Sequence, residues 1–250
     1  MTISGYAQQD SLIIRQGGIA AIATDSQGNL YASDIHGNLT KYDTRLQNKW
    51  LYSPERKGAL TSIDTQNPLK ILVFYSGLQQ FHYLDRFMVA SNQFVPRQPE
   101  STITVMTSST DNLLWLIDME ELVLKKYDPR YNQVILERPF DLLFEGDALD
   151  IYDMKEYNGR LYIAISENVL IFDLLGNYLE KLQVKGLSHL QFYNEYLYYT
   201  ADGKLLLVNL KNKSEHTLPL NRQAIQAALT DKYLFLLDKE GIHRQTKPKF

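Results

Sequence analysis

The segment NLYASDIHGNLTKYD (29–43) sets one histidine, His36, between two carboxylates, Asp34 and Asp43. Such residues can do two kinds of chemistry. A carboxylate can orient an imidazole for proton transfer, or the set can hold a divalent cation. The other histidines, His82, His189, His216 and His243, are scattered, and no two histidines fall at H-x-H or H-E-x-x-H spacing. The sequence has no cysteine, which excludes disulfides, thiolate metal sites and cysteine nucleophiles. It also has no G-x-S-x-G elbow, and YSG (75–77) reads as a hairpin turn. A phosphate-binding glycine loop is absent as well, and Gly17-Gly18 reads as a link between strands.

The segment recurs along the chain. NLYASD (29–34), LLWLID (113–118), YLYYTAD (196–202) and YLFLLD (233–238) are short aromatic and aliphatic runs with Asp before a turn, and RLYIAI (160–165), closing on Ser166, fits without the Asp. A second run follows each, closing at Asp43, Asp85, Asp128, Asp173 and Asn209, at intervals of 42, 43, 45 and 36 residues. IHGN (35–38), ADGK (201–204) and KEG (239–241) supply the glycine that a tight hairpin needs at positive φ. A further apolar run lies before each pair and another after it. Four short strands repeating every ~40–45 residues mark a β-propeller blade.

First strands near 19, 60, 103, 149, 187 and 224 give six blades, the sixth with only three strands of its own. DSLIIRQ (10–16) has no other partner and is expected to complete that blade, closing the ring and covering two exposed sheet edges. The expected fold is therefore all-β: a six-bladed propeller over 10–250, four strands per blade and no long helix. Asp43 has a counterpart in most blades, so its expected role is turn geometry through bonds to nearby backbone N–H groups. The Asp34–His36–Asp43 triplet is not an active site.

DSQGNLYASDIHGNLTKYDTRLQNKW (25–50) resembles the repeat of NHL-like and quinoprotein-like propellers, with a G-x-L-Y strand, a G-x-L hairpin, an aromatic-Asp and Trp50. It lacks the Gly-His and Trp-Asp pairs of WD40 repeats and the Gly-Gly of kelch. NPLKILVFYSGLQQFHYLDRF (67–87) resembles a segment of uncharacterised secreted bacterial propellers. Six-bladed lactonases of the gluconolactonase type hold a divalent cation in the channel with acidic and amide side chains. By that likeness Asp64, Asp150, Asp153, His189 and Gln191, on or beside first strands, are the candidate channel residues. No motif marks a metal site among them. One repeat-like blade does not supply the stacking Trp and calcium ligands of a quinone enzyme, so no cofactor is expected.

A net charge of −3 and a pI near 6.0 give no general attraction to nucleic acid or an anionic membrane. No apolar run reaches the ~18 residues that span a bilayer. MTISGYAQQDSL (1–12) resembles the end of a secretory signal and its cleavage site, without the basic and apolar regions before it. The expectation is that residues 1–9 are a signal remnant or a frayed terminus and that the mature protein starts near Gln8. The protein would then be periplasmic or secreted, and cytoplasmic otherwise.

Two connectors are elaborated. NQFVPRQPEST (92–102) carries two prolines and an arginine, and ERPFDLLFEGDALD (137–150) mixes apolar and acidic residues. Loops on a rigid scaffold are where binding gathers. His36, Arg56, Lys57, Arg97, Phe140, Phe144, Glu145, Asp147 and Arg222 form the expected partner-binding face. The sequence thus points to a non-catalytic binding or scaffold propeller of the bacterial envelope, with a protein or glycan partner. The alternative is a metal-dependent, lactonase-like hydrolase centred on the channel.

Overall fold

Runs such as ILVFY (71–75) and LWLID (114–118) are apolar at nearly every position, as suits a strand covered on both faces. In the computed structural model, which describes residues 11–15, 18–94, 102–139 and 150–250, both are second strands of blades and every residue in them is buried. The sheets are six four-stranded antiparallel blades. Blade one is β2 (Ile19–Thr24), β3 (Leu30–Asp34), β4 (Leu39–Tyr42) and β5 (Lys49–Tyr52). Blade two is β6 (Ser62–Asp64), β7 (Ile71–Tyr75), β8 (Gln80–Leu84) and β9 (Ala90–Phe94), and blade three is β10 (Ile103–Ser108) through β13 (Gln133–Pro139). Blades four and five run from β14 (Ile151–Tyr157) to β17 (Tyr178–Gln183) and from β18 (Gln191–Tyr193) to β21 (Glu215–Pro219).

Blade six holds β22 (Gln226–Leu229), β23 (Tyr233–Leu237) and β24 (Ile242–Thr246), and its outer strand is β1 (Ser11–Ile14). The first strand thus pairs antiparallel with the last, Ser11 opposite Arg244 and Ile14 opposite Ile242. This is the expected closure. Gly241 adopts φ +141° beside it, and a Cβ there would stand 2.0 Å from the Ile14 carbonyl oxygen. Only glycine lets β1 approach so closely.

Four inner strands start later than the apolar runs suggest, at Ser62, Ile151, Gln191 and Gln226. The reason is visible at Leu187 and Leu190, which are buried between blades four and five without belonging to a strand. Packing between blades selects apolar residues in connectors as well as in strands. The only helical element among the described residues is one 3-10 turn, Ser76–Leu78, in the YSG hairpin.

The core divides into six apolar layers, one per blade junction, from Tyr31, Leu39, Ile71 and Val73 between blades one and two to Ile22, Leu30, Phe235 and Ile242 between six and one. Turn chemistry follows the repeat. Asp43 Oδ1 accepts from the N–H groups of Arg45 and Gln47, Asp85 from Phe87 and Val89, and Asp173 from Leu175 and Asn177. Asp128 and Asn209 do the same with Arg130 and Lys211. The Asn177 amide, then the Asn177 and Leu175 N–H groups, hold the Asp173 carboxyl below the usual range.

His82 lies in the layer between blades one and two, buried against the rings of Tyr52 and Tyr75 at 5.7 and 6.1 Å. Its Nδ1 has no hydrogen-bond partner among the described residues. Burial lowers its pKa, with the Glu55 charge opposing. The folded state therefore binds a proton less readily than the unfolded chain. The resulting stability is present above the unfolded value of ~6.5 and is lost as pH falls below it. In urea titrations the natural chain should lose more stability between pH 7.5 and 5 than His82→Phe does. Parallel pH profiles would remove His82 as the cause.

Candidate functional site

The innermost strands carry polar residues that stitch the ring. Thr65 Oγ1 donates to Thr24 O (2.8 Å) between blades one and two. Asp64 Oδ2 accepts from Thr107 Oγ1 (3.0 Å) and Ser108 N (2.9 Å) between two and three. At the next junction Glu156 accepts from Ser109 Oγ, Thr110 N, Thr110 Oγ1 and Trp115 Nε1 at 2.6–2.9 Å. Asp153 Oδ2 takes Leu190 N (2.7 Å), Tyr198 OH takes Leu229 N (2.8 Å), and Gln226 Oε1 takes Ile22 N (2.7 Å). Every blade junction is thus bridged by at least one side-chain hydrogen bond. Thr65, Asp64, Glu156, Asp153, Tyr198 and Gln226 are buried, where an unpaired donor or acceptor costs far more than on the surface.

Side chains also cross the channel. Gln191 Nε2, on blade five, donates to Ile22 O on blade one at 3.1 Å. Gln66 Nε2 on blade two donates to Glu156 O on blade four, and Lys155 Nζ of blade four reaches Ile63 O of blade two at 3.3 Å.

The channel residues singled out from sequence therefore separate. Asp153 and His189 come together, with Nδ1 and Oδ2 3.8 Å apart, and His189 is part-exposed. Asp150 is exposed, and its carbonyl accepts from Ser166 N (3.1 Å), next to the Ile151–Ile165 pair of blade four. Asp64 serves a different junction and Gln191 a cross-channel bond. Glu156, Gln226 and Tyr198 were not singled out. The signal that could have found Glu156 and Gln226 was a polar residue inside an apolar inner strand, as in IYDMKEY (151–157) and QAAL (226–229).

On the face of the blade-to-blade connectors, Asp34 accepts from the N–H groups of His36 and Asn38 and from the Asn38 amide. Partial burial works against its charge, yet the Asn38 amide, those N–H groups and His36 hold the carboxyl below its usual range. His36 itself is exposed. The next residue, Gly37, packs on the connector that carries Arg56 and Lys57: a Cβ there would meet Gly58 O at 2.1 Å, and Tyr75 OH donates to Gly37 O at 2.8 Å. Arg56 and Lys57 are exposed. Arg222 is part-buried, and its NH1 donates to Asp238 Oδ2 at 2.6 Å. Arg97, Phe140, Phe144, Glu145 and Asp147 lie outside the described residues.

Asp238, Glu240 and His243 bring one ligand-type atom each within 4.8 Å of one another. Arg222 NH1 sits among them, 2.6 Å from Asp238 and 3.0 Å from His243 Nε2, so a guanidinium already supplies the positive charge there.

No protein-family model matches the chain, and neither does a curated protein sequence. Solved structures do match. One is a streptogramin B lyase, with TM-score 0.64 and 10% identity over 96% of this chain and 97% of that one. Two more are of virginiamycin B lyase from Staphylococcus aureus, one a catalytically inactive histidine-to-alanine variant with quinupristin and the other selenomethionine-substituted. Each has TM-score 0.61 and 11% identity, over 95% of this chain and 83% of its own. At this identity the likeness shows the fold, a six-bladed propeller consistent with the NHL-like and quinoprotein-like resemblance. Among the described residues no helix is long and apolar enough to cross a membrane.

Proposed function

We propose that this propeller is a non-catalytic binding module that presents its connector face to a protein or glycan. One observation carries the reading. Buried Asp64 and Asp153, two of the five candidate channel residues, are each engaged by donors of the neighbouring blade, while His36, Arg56 and Lys57 stand exposed. An envelope location belongs to the same proposal, and N-terminal sequencing of the protein from its own host tests it. An intact Met1 or Thr2 terminus would count against it.

Two measurements test the function. Ca²⁺, Zn²⁺ or EDTA should leave the melting temperature within ~1 °C. A resident channel cation at 100 times its Kd would add about 2.7 kcal/mol, or roughly 5–10 °C in a chain of this size. Such a rise, reversed by EDTA, would favour the hydrolase. Second, Arg56→Glu with Lys57→Glu and His36→Ala should abolish partner capture from envelope extract at unchanged melting temperature. Undiminished capture would move the interface elsewhere.

A further inference from the structure

A cleft of about 620 Å³ opens between blades five and six, on the face opposite the blade-to-blade connectors. Its size is that of a small-molecule site. The floor is aromatic: Tyr193 and Tyr196 end and begin adjacent strands of blade five, and Tyr233 begins β23. The segment after β24 forms the wall. Lys247 N bonds Lys232 O at 2.9 Å, Lys247 Nζ reaches Tyr193 OH at 2.7 Å, and the Phe250 ring stands edge-on to Tyr196 at 5.5 Å.

The charges are uneven. Lys232, Lys247 and Lys249 face one side-chain carboxylate, Asp231, which already accepts the Tyr193 hydroxyl at 2.9 Å. Lys232 and Lys249 are exposed at the cleft. The occupant should therefore be anionic and carry a ring able to lie on tyrosine. Asp231, Asn194 and the tyrosine hydroxyls ask in addition for a ring bearing hydroxyl donors and acceptors. A bare aromatic acid has none, and a polyphosphate sets several negative charges against Asp231 where a single carboxylate sets one.

We infer that this cleft binds an acidic saccharide: a uronate whose ring stacks on the tyrosines while its carboxylate meets Lys232 and Lys249. The inference deepens the glycan side of the binding-module reading and rests on that reading. It is separable by experiment, because cleft variants leave His36, Arg56 and Lys57 untouched.

Isothermal titration of the full chain with trigalacturonate is the test, with maltotriose as the neutral control and benzoate as the aromatic-acid control. Saturable trigalacturonate binding is expected, with maltotriose roughly tenfold weaker or more. Lys232→Gln with Lys249→Gln, and separately Phe250→Ala, should each weaken trigalacturonate by a similar factor at unchanged melting temperature. Absence of trigalacturonate binding, equal binding of maltotriose, tighter binding of benzoate, or indifference to these substitutions would each overturn the assignment. Partner capture through the connector face would then stand or fall by its own variants.

Discussion

Removing residues 1–15 should lower the melting temperature by about 10–20 °C relative to a chain lacking only residues 1–9. The deletion strips β1 from β24 and uncovers the layer between blades six and one, where Ile13 and Ile14 pack against Phe235, Leu237 and Ile242. Two half-buried isoleucines at about 1–1.5 kcal/mol each, plus the lost ladder bonds at about 1 kcal/mol each, come to roughly 5 kcal/mol. In a chain of this length each kcal/mol moves the midpoint by about 2–4 °C. The ring makes the loss larger than that of an ordinary edge strand, because β1 and blade six belong to opposite ends of the chain. Gly241→Val should reproduce much of the effect without shortening the chain, since its Cβ would meet the Ile14 carbonyl. A synthetic peptide of residues 10–16, added in trans, should restore part of the stability of the truncated protein. Unchanged melting in both variants would mean that β1 does not hold the ring closed.

The closure was legible because it follows from counting: one blade lacked a strand and one strand lacked a blade. The turn aspartates were legible for a similar reason, since Asp43, Asp85, Asp128 and Asp173 repeat one local geometry. Strand starts were less so, because Leu187 and Leu190 are selected by packing and look like strand residues. The polar stitching was half visible. Asp64 and Asp153 stood out by type, but sequence places no donor beside them, as the donors come from the neighbouring blade: Thr107 is 43 residues from Asp64 and Leu190 is 37 from Asp153. A buried carboxylate that serves as a ring staple and one that binds metal look alike until those donors are known. Of the partner-binding set, the structure brings His36 beside the Arg56–Lys57 connector through the Gly37–Gly58 contact, a juxtaposition that spacing alone does not show. The aromatic cleft escaped because its walls come from three separated segments.

Glu156→Ala should cost about 2 kcal/mol, or roughly 4–8 °C. The side chain is 2% exposed and is the acceptor for four donors from blade three, two from Thr110 and one each from Ser109 and Trp115. Losing it leaves the Ser109 hydroxyl and the Trp115 indole in a water-poor junction, at about 1–3 kcal/mol for each that finds no other acceptor. Thr110 is exposed, so its amide and hydroxyl can turn to water, and the Ser109 hydroxyl can rotate to a new acceptor, but the buried Trp115 indole cannot, and that sets the estimate at about the single-group penalty. Glu156→Gln should fall between. Its carbonyl can still serve Thr110, but its NH₂ would point at the indole N–H, which has no lone pair to receive it. Trp115→Phe removes that donor, so the Gln substitution should be less harmful when combined with Trp115→Phe. A double-mutant cycle by urea unfolding measures the coupling directly. Additive effects would show that the two groups do not depend on each other. A loss under about 1 kcal/mol in Glu156→Ala, the low end for a single orphaned group, would mean that the blade three–four junction is held by its apolar layer alone.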